Sequence, residues 1–185
     1  MKVLVFASSP NTDGLTQECA DAAVAGVRSA GLDAEVVHLN RERIGLCQAC
    51  DRGWGTCRTE HRCQVQDGFQ AVHEKTAAAD AYVVVSPVYV GQLSESAKAY
   101  FDRLRRCEAT RGDQSALARK PVLGVAAAGG TGGGIVSCLD EMNRLFSHLH
   151  CNVFDMITVT QKSRSYKPAT IREAAAAMAA FLKKA

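Results

Sequence analysis

Apolar runs of strand length alternate along this chain with stretches in which apolar residues recur every third or fourth position. Residues 3–7, 81–85, 122–128 and 153–159 are nearly unbroken apolar runs, the pattern of strands covered on both faces of a parallel sheet. Residues 34–39 form a weaker run of the same kind. Between these runs Leu15, Cys19, Ala23 and Val27 fall on one helical face, as do Ile135, Leu139, Met142, Phe146 and Leu149, and then Ile171, Ala174, Met178 and Phe181. Gly31 stands where the C-cap of the first helix belongs, and Ser94 is placed to cap a helix carrying Ala97, Phe101 and Leu104.

The resulting order, β-α-β-loop-α-β-α-β-α-β-α, predicts an α/β fold: a doubly wound, five-stranded parallel sheet of order 2-1-3-4-5 with helices on both faces. Residues 1–185 read as one domain, without repeats or linkers. The exception to the short connections is the stretch 40–67, and long connections inside compact domains are commonly functional.

A content of 47% hydrophobic residues suits one full-sized core. The 22 basic and 19 acidic residues are spread evenly for a net charge of +3, which argues against a nucleic-acid footprint or a membrane-binding face and leaves small molecules as the expected partners. The run after Lys2 is five residues, too short for the apolar region of a signal peptide, and no stretch approaches a membrane span. A cytoplasmic protein is expected, in which the eight cysteines stay reduced.

In a sheet of this order, ligands bind outside the carboxyl ends of the strands. Three loops leave that edge. The first, SSPNTDGLT (8–16), offers Ser9, Asn11, Thr12 and Thr16 as neutral donors, Gly14 for a close backbone turn, and the start of a helix at Leu15. No Lys or Arg lies between Lys2 and Arg28, so a phosphate here would be held by neutral groups and the helix dipole. Neither a Walker loop nor a G-x-G-x-x-G fingerprint is present. The second, SPVYVGQLS (86–94), ends its strand at Pro87 and offers Val88, the plane of Tyr89, Val90, and Gly91 for close backbone approach. The third, AAGGTGGGI (127–135), presents backbone amides at Gly129, Gly130 and Gly132. A phosphate at the first loop and a flat ring between the other two describe a mononucleotide with an extended aromatic head, and FMN is the best match.

The stretch LCQACDRGWGTCRTEHRC (46–63) carries Cys47, Cys50, Cys57 and Cys63. Four thiolates suit a [4Fe-4S] cluster or a structural zinc, with His61 as a substitute ligand, and loop packing without metal is the third reading. Trp54 is placed to stack on a ring, and Arg52, Arg58 and Arg62 to meet the phosphates of NADPH; the alternative is a solvated loop with a buried anchor. Cys19, Cys107, Cys138 and Cys151 read as small core residues.

On SSPNTDGLT, CQAC followed by CQVQD, SPVYVGQLSESAKAYFDR and GGTGGG, the chain resembles the flavodoxin-like NADPH-dependent FMN reductase family, including its iron-sulfur flavoproteins. The resemblance implies that Ser9, Asn11, Leu15 and Thr16 hold the phosphate. It places Pro87, Val88, Tyr89 and Gly91 along the ring and ribityl chain, and Gly129, Gly130 and Gly132 at the ring's polar edge. Lys98 and Asp102 fall at positions implied to be structural. The compact cysteine run of the iron-sulfur members is broken here, with Gly53 where a third cysteine belongs. The implied activity is an NAD(P)H-dependent flavin oxidoreductase passing electrons to a quinone, a free flavin or a metal ion. The alternative is an electron carrier fed by a protein such as ferredoxin, and a homodimer or homotetramer is implied.

Overall fold

The computed structural model describes residues 1–184, and every element announced by the periodicity is present. In order they are β1 (Lys2–Ala7), α1 (Leu15–Ser29), β2 (Asp33–His38), the short α2 (Thr56–Thr59), α3 (Phe69–Ala78), β3 (Ala81–Pro87), α4 (Glu95–Glu108), β4 (Pro121–Ala128), α5 (Ile135–His148), β5 (Asn152–Thr160) and α6 (Lys167–Leu182). The five strands form one parallel sheet in the order 2-1-3-4-5.

Alternate residues of β1 feed two separate cores. Leu4 and Phe6 face α3, α4 and α5 through Phe69, Tyr100, Phe101 and Phe146. Val3, Val5 and Ala7 face α1 and α6 through Leu15, Cys19, Ala23, Ile171 and Met178. α1 and α6 approach closely because position 26 is glycine: a Cβ there would stand 2.1 Å from the Arg172 carbonyl oxygen.

Two expectations shift. The buried face of α6 is Ile171, Ala175, Met178 and Ala179, whereas Phe181 is 44% exposed, its ring tilted against that of Phe154 at 6.0 Å. β5 is an edge strand, so only Ile157 and Val159 are fully covered; its uniform apolar run reflects one helix-covered face and a half-open rim. Ser94 caps α4 as expected, its Oγ accepting from the Ala97 N–H, and Gly31 follows α1 in the left-handed region with φ 76°.

Glu108 is matched inside the α3–α4 layer, whereas Gln70 Oε1, His73 Nδ1 and Arg103 Nε are buried without a partner. His73 Nε2 lies 2.7 Å from Glu108 Oε1, and Glu108 Oε2 accepts from Ser115 Oγ at 2.8 Å and Ala116 N–H at 3.0 Å. Burial pushes the Glu108 carboxyl up, but the contacts with His73, Ser115 and Ala116 together outweigh it and take it down to about 2. A carboxylate lowered on folding stabilises the protein above its unfolded value and loses that contribution as pH falls toward the folded one. The advantage of the wild type over Glu108→Gln, on the order of 3 kcal/mol, is therefore expected to shrink as pH falls from about 4.5 to about 2. Urea denaturation of both proteins across that window checks it; a pH-independent difference would show that the carboxylate charge is not what stabilises the layer.

Candidate functional site

The carboxyl ends of β1, β3, β4 and β5 open onto one cleft of about 290 Å3. The first loop contributes Ser9, Asn11, Gly14, Leu15 and Thr16, the second Pro87, Val88 and Tyr89, and the third Gly129 beside Ala127. Nine of the fourteen residues expected at a ligand from the sequence are thus brought together in one place, and Gln161 and Arg164 from the β5–α6 connection complete the wall with Ala127. Thr12, Gly130 and Gly132 line neither this cleft nor its neighbour. Val90 and Gly91 lie beyond its rim.

The first loop is held by its own backbone. The Ser8 carbonyl accepts from Asn40 Nδ2 at 2.6 Å, Ser94 Oγ at 3.0 Å and Ser96 Oγ at 3.1 Å, while the Ser8 N–H donates to the Val85 carbonyl at 3.2 Å. Ends of β1, β2 and β3 are thereby joined at one atom. Ser9 Oγ accepts from the Asn11 N–H at 3.1 Å, and Gly14 takes the N-cap of α1 without bringing a side-chain acceptor to it. The start of α1 and the hydroxyls of Ser9 and Thr16 therefore bound the cleft as neutral donors with a favourable dipole, the chemistry a phosphate requires.

The second loop turns back through Val90 and Gly91. Tyr89 and Gln92 exchange two backbone hydrogen bonds of 3.0 Å, and both intervening residues have positive φ, 51° and 79°. This is the mirror-image two-residue turn, which favours Asn-Gly; a β-branched valine at its first position is strained there and is fully exposed. The second and third loops touch through glycines: a Cβ on Gly134, whose φ is 78°, would lie 2.6 Å from the Gly91 Cα. Gly91 and Gly134 therefore close the gap between the two loops, and the cleft opens at the Pro87–Tyr89 and Ala127–Gly129 end.

On the far side of that contact Val90, Gly91, Gln92, Gly133 and Gly134 border a larger hollow of about 570 Å3, floored by Ser137, Asp140, Glu141 and Arg144. The charges on that floor are already matched. Arg144 pairs with Asp140, and Glu141 accepts from Lys98 Nζ at 3.0 Å and the Leu93 N–H at 2.8 Å. Lys98 also reaches Asp102 at 3.5 Å, so the two residues read as structural do form an ion pair.

The cysteine loop makes a third, narrow cavity. Cys47, Cys50, Cys57 and Cys63 all line it, together with Gly53, Gly55, Thr56, Arg103 and Arg106. Among the described residues no three His, Cys, Asp or Glu groups stand close enough to hold one metal ion. His61 turns its Nδ1 to the Cys107 carbonyl at 3.1 Å instead. The guanidinium groups of Arg106 and Arg58 lie over the Trp54 ring, 4.8 and 5.6 Å from its centre, and Arg62 approaches Glu74 at 3.9 Å. None of these residues lines the 290 Å3 cleft. Burial pushes Cys19, Cys107, Cys138 and Cys151 up to about 12, as inert thiols packed in or against the core.

Gln161, Arg164, Asn40 and Ser96 escaped the sequence reading. The first two sit in a short connection without periodicity, and the only clue was that a fifth strand sends a fourth loop to the same edge.

A 2-1-3-4-5 sheet with its cleft at the carboxyl edge defines a flavodoxin-like α/β protein. Residues 1–165 match the sequence profile described as NADPH-dependent FMN reductase, and the chain belongs to that family. Over 103 residues it is 31% identical to an iron-sulfur flavoprotein of Methanosarcina thermophila, covering 56% of this chain and 52% of that one. The chain spans about half the length of the curated relatives it matches. Its fold superposes on an NAD(P)H:quinone oxidoreductase from Methanothermobacter marburgensis with a TM-score of 0.73 at 21% identity, covering 95% of this chain and 94% of the other. For RosB, solved with bound 8-demethyl-8-formylriboflavin-5′-phosphate, the TM-score is 0.78 at 17% identity, covering 100% and 81%. At such identities the likeness is one of fold.

The glycine contact is testable by stability alone. Gly134→Ala is expected to cost about 1–3 kcal/mol in urea denaturation, because its methyl group meets Gly91 at a positive φ. Gly129→Ala, with nothing within 4 Å, stays within about 0.5 kcal/mol of wild type. Equal effects would mean that the two loops are not in contact.

Proposed function

We propose that the chain binds FMN in the 290 Å3 cleft and works as an NAD(P)H-dependent oxidoreductase that passes electrons to a small acceptor such as a quinone, a free flavin or a metal ion. The observation that carries this reading is the convergence of a phosphate-type loop, a planar tyrosine and a glycine loop on one cleft of a family whose description names both FMN and NADPH. Its volume is at the lower bound of small-molecule sites, ~300 Å3, which suits a cleft that grips the phosphate and ribityl end and leaves a ring face open to a second molecule.

Bound there, FMN would supply the chemistry of accepting a hydride from a nicotinamide and releasing electrons onward. The protein's part is binding and access. Ser9, Asn11, Thr16 and the start of α1 hold the phosphate, Pro87 and Val88 lie along the chain and ring, Tyr89 covers one ring edge, and Gly129 leaves the polar edge open to backbone donors. No side chain is needed as acid or base. Residues 1–185 act as one FMN-binding unit with the cysteine loop as its insertion. We take the protein to be cytoplasmic and a homodimer or homotetramer; among the described residues no helix is long and apolar enough to cross a membrane.

A second reading is favoured by one observation: Cys47, Cys50, Cys57 and Cys63 line a shared cavity, and four thiolates are the ligand set of a [4Fe-4S] cluster. The chain would then be an iron-sulfur flavoprotein, also able to take electrons from a redox protein such as ferredoxin. Cys47, Cys50, Cys57 and Cys63 would be the ligands, and Arg103 Nη2, 3.3 Å from Cys63 Sγ, a donor to one of them.

Two measurements separate these readings. An anaerobic visible spectrum of the purified protein should show two flavin bands that bleach with NADPH or NADH; flavin reduced by dithionite but by neither nucleotide would overturn the reductase in favour of a carrier. After anaerobic reconstitution, iron and acid-labile sulfide should accompany the chain and most of the iron should be lost in Cys57→Ser. An iron-free wild type would leave the four cysteines as packing.

A further inference from the structure

Resting on the FMN reading, we infer that Arg164 supplies the charge by which the cleft recognises the phosphate of a phosphorylated flavin, with Glu18 as the positioning residue that aims it. The first loop cannot supply that charge, since residues 3–27 contain no Lys or Arg. Among the described residues lining the cleft, Arg164 is the one cation, and it stands on the same wall system as Ser9, Asn11 and Thr16. It arrives from the opposite end of the chain, from the connection between β5 and α6.

Its position is fixed by packing. α6 lies on α1 through the Gly26 contact, which brings the residues before α6 beside the first turn of α1. There Arg164 Nε donates to Glu18 Oε2 at 2.8 Å and Nη2 to Glu18 Oε1. A guanidinium carries five N–H donors, so this two-point contact leaves three free, in the planar fork geometry that matches phosphate oxygens. Glu18 by itself would oppose a phosphate, because it places a negative charge in the first turn of the helix whose N-terminus faces the cleft. With Arg164 attached the local charge is neutralised, and the helix end and free guanidinium donors remain available to an anion.

Both side chains of the pair are about two-fifths exposed, 40% and 41%. Ion pairs at such exposure contribute little to stability, so removing the charge tests binding rather than folding.

The experiment titrates the full chain, freed of bound flavin, with FMN and with riboflavin, which lacks the phosphate, and follows quenching of flavin fluorescence. Wild type should prefer FMN. Arg164→Gln should weaken FMN about tenfold and leave riboflavin unchanged, and Arg164→Lys, which keeps the charge and loses the fork, should fall between them. Added salt should weaken FMN binding more in wild type than in Arg164→Gln. An unchanged preference for FMN in Arg164→Gln overturns the inference while leaving the FMN reading standing. So does an equal loss for both flavins, which would make Arg164 merely structural. A wild type that binds neither flavin overturns the FMN reading and this inference with it.

Discussion

The sheet's central strands are buried on both faces, and that constraint decides where this protein can do chemistry. β1, β3 and β4 are covered by two separate cores, so a polar side chain at mid-strand would lose its water without gaining a partner. Polarity is pushed to the strand ends. At the carboxyl edge β1 hands over to α1 on one face of the sheet and β3 to α4 on the other. The two connections therefore diverge, and the gap between them is the cleft. The Ser8 carbonyl, accepting from Asn40, Ser94 and Ser96, ties the diverging chains together at the base of that gap. The cleft is consequently a property of the topology, shaped by a few polar contacts at its floor.

That logic explains which parts were legible in the amino-acid sequence. Period-2 and period-3.6 patterns report burial, so the strands, the helices and their order could be read directly, and the loops at one edge followed from the order. The errors fall where burial is incomplete. β5 has the composition of a covered strand and sits at the rim, and α6 is so rich in alanine that its apolar face could be placed about a residue out of register, leaving Phe181 outside. Contacts between loops were not legible at all. Nothing in GGTGGG says that Gly134 rests on Gly91, because glycines announce freedom of the backbone and not what the backbone meets. Arg164 was hidden for a different reason: its meaning depends on a contact with Glu18 across 146 residues of sequence.

The cysteine loop shows how irregular backbone is kept in place beside such a regular frame. Arg43, Ala49, Asp51, Arg52 and His61 all have positive φ, an arrangement that costs each residue roughly 1–3 kcal/mol and persists only if its surroundings impose it. Arg103, 1% exposed on α4, is the means. Its Nη1 donates to the Gly45 carbonyl at 3.0 Å and to Asp67 Oδ2 at 2.6 Å, and its Nη2 to Asp67 Oδ1 at 2.9 Å, so one side chain holds both ends of the loop. Burial alone would raise the Asp67 carboxyl, yet Arg103 and the N–H groups of Gly45 and Phe69 hold it below the usual range. The guanidinium also lies 4.4 Å from the centre of the Phe69 ring.

A salt bridge as buried as this recovers little net stability, because both charges must be stripped of water. Its value to the fold is conformational: it selects one path for the chain between Gly45 and Asp67, and with it one arrangement of four cysteines around a shared cavity. The second Nη2 donor of Arg103, directed at Cys63 Sγ at 3.3 Å, joins the clamp to that cavity. A loop that needed only to connect β2 to α3 would have no use for a buried arginine and five strained residues. The strain falls in the same connection whose four cysteines line that cavity, and the contact that closes the loop also fixes their arrangement around it.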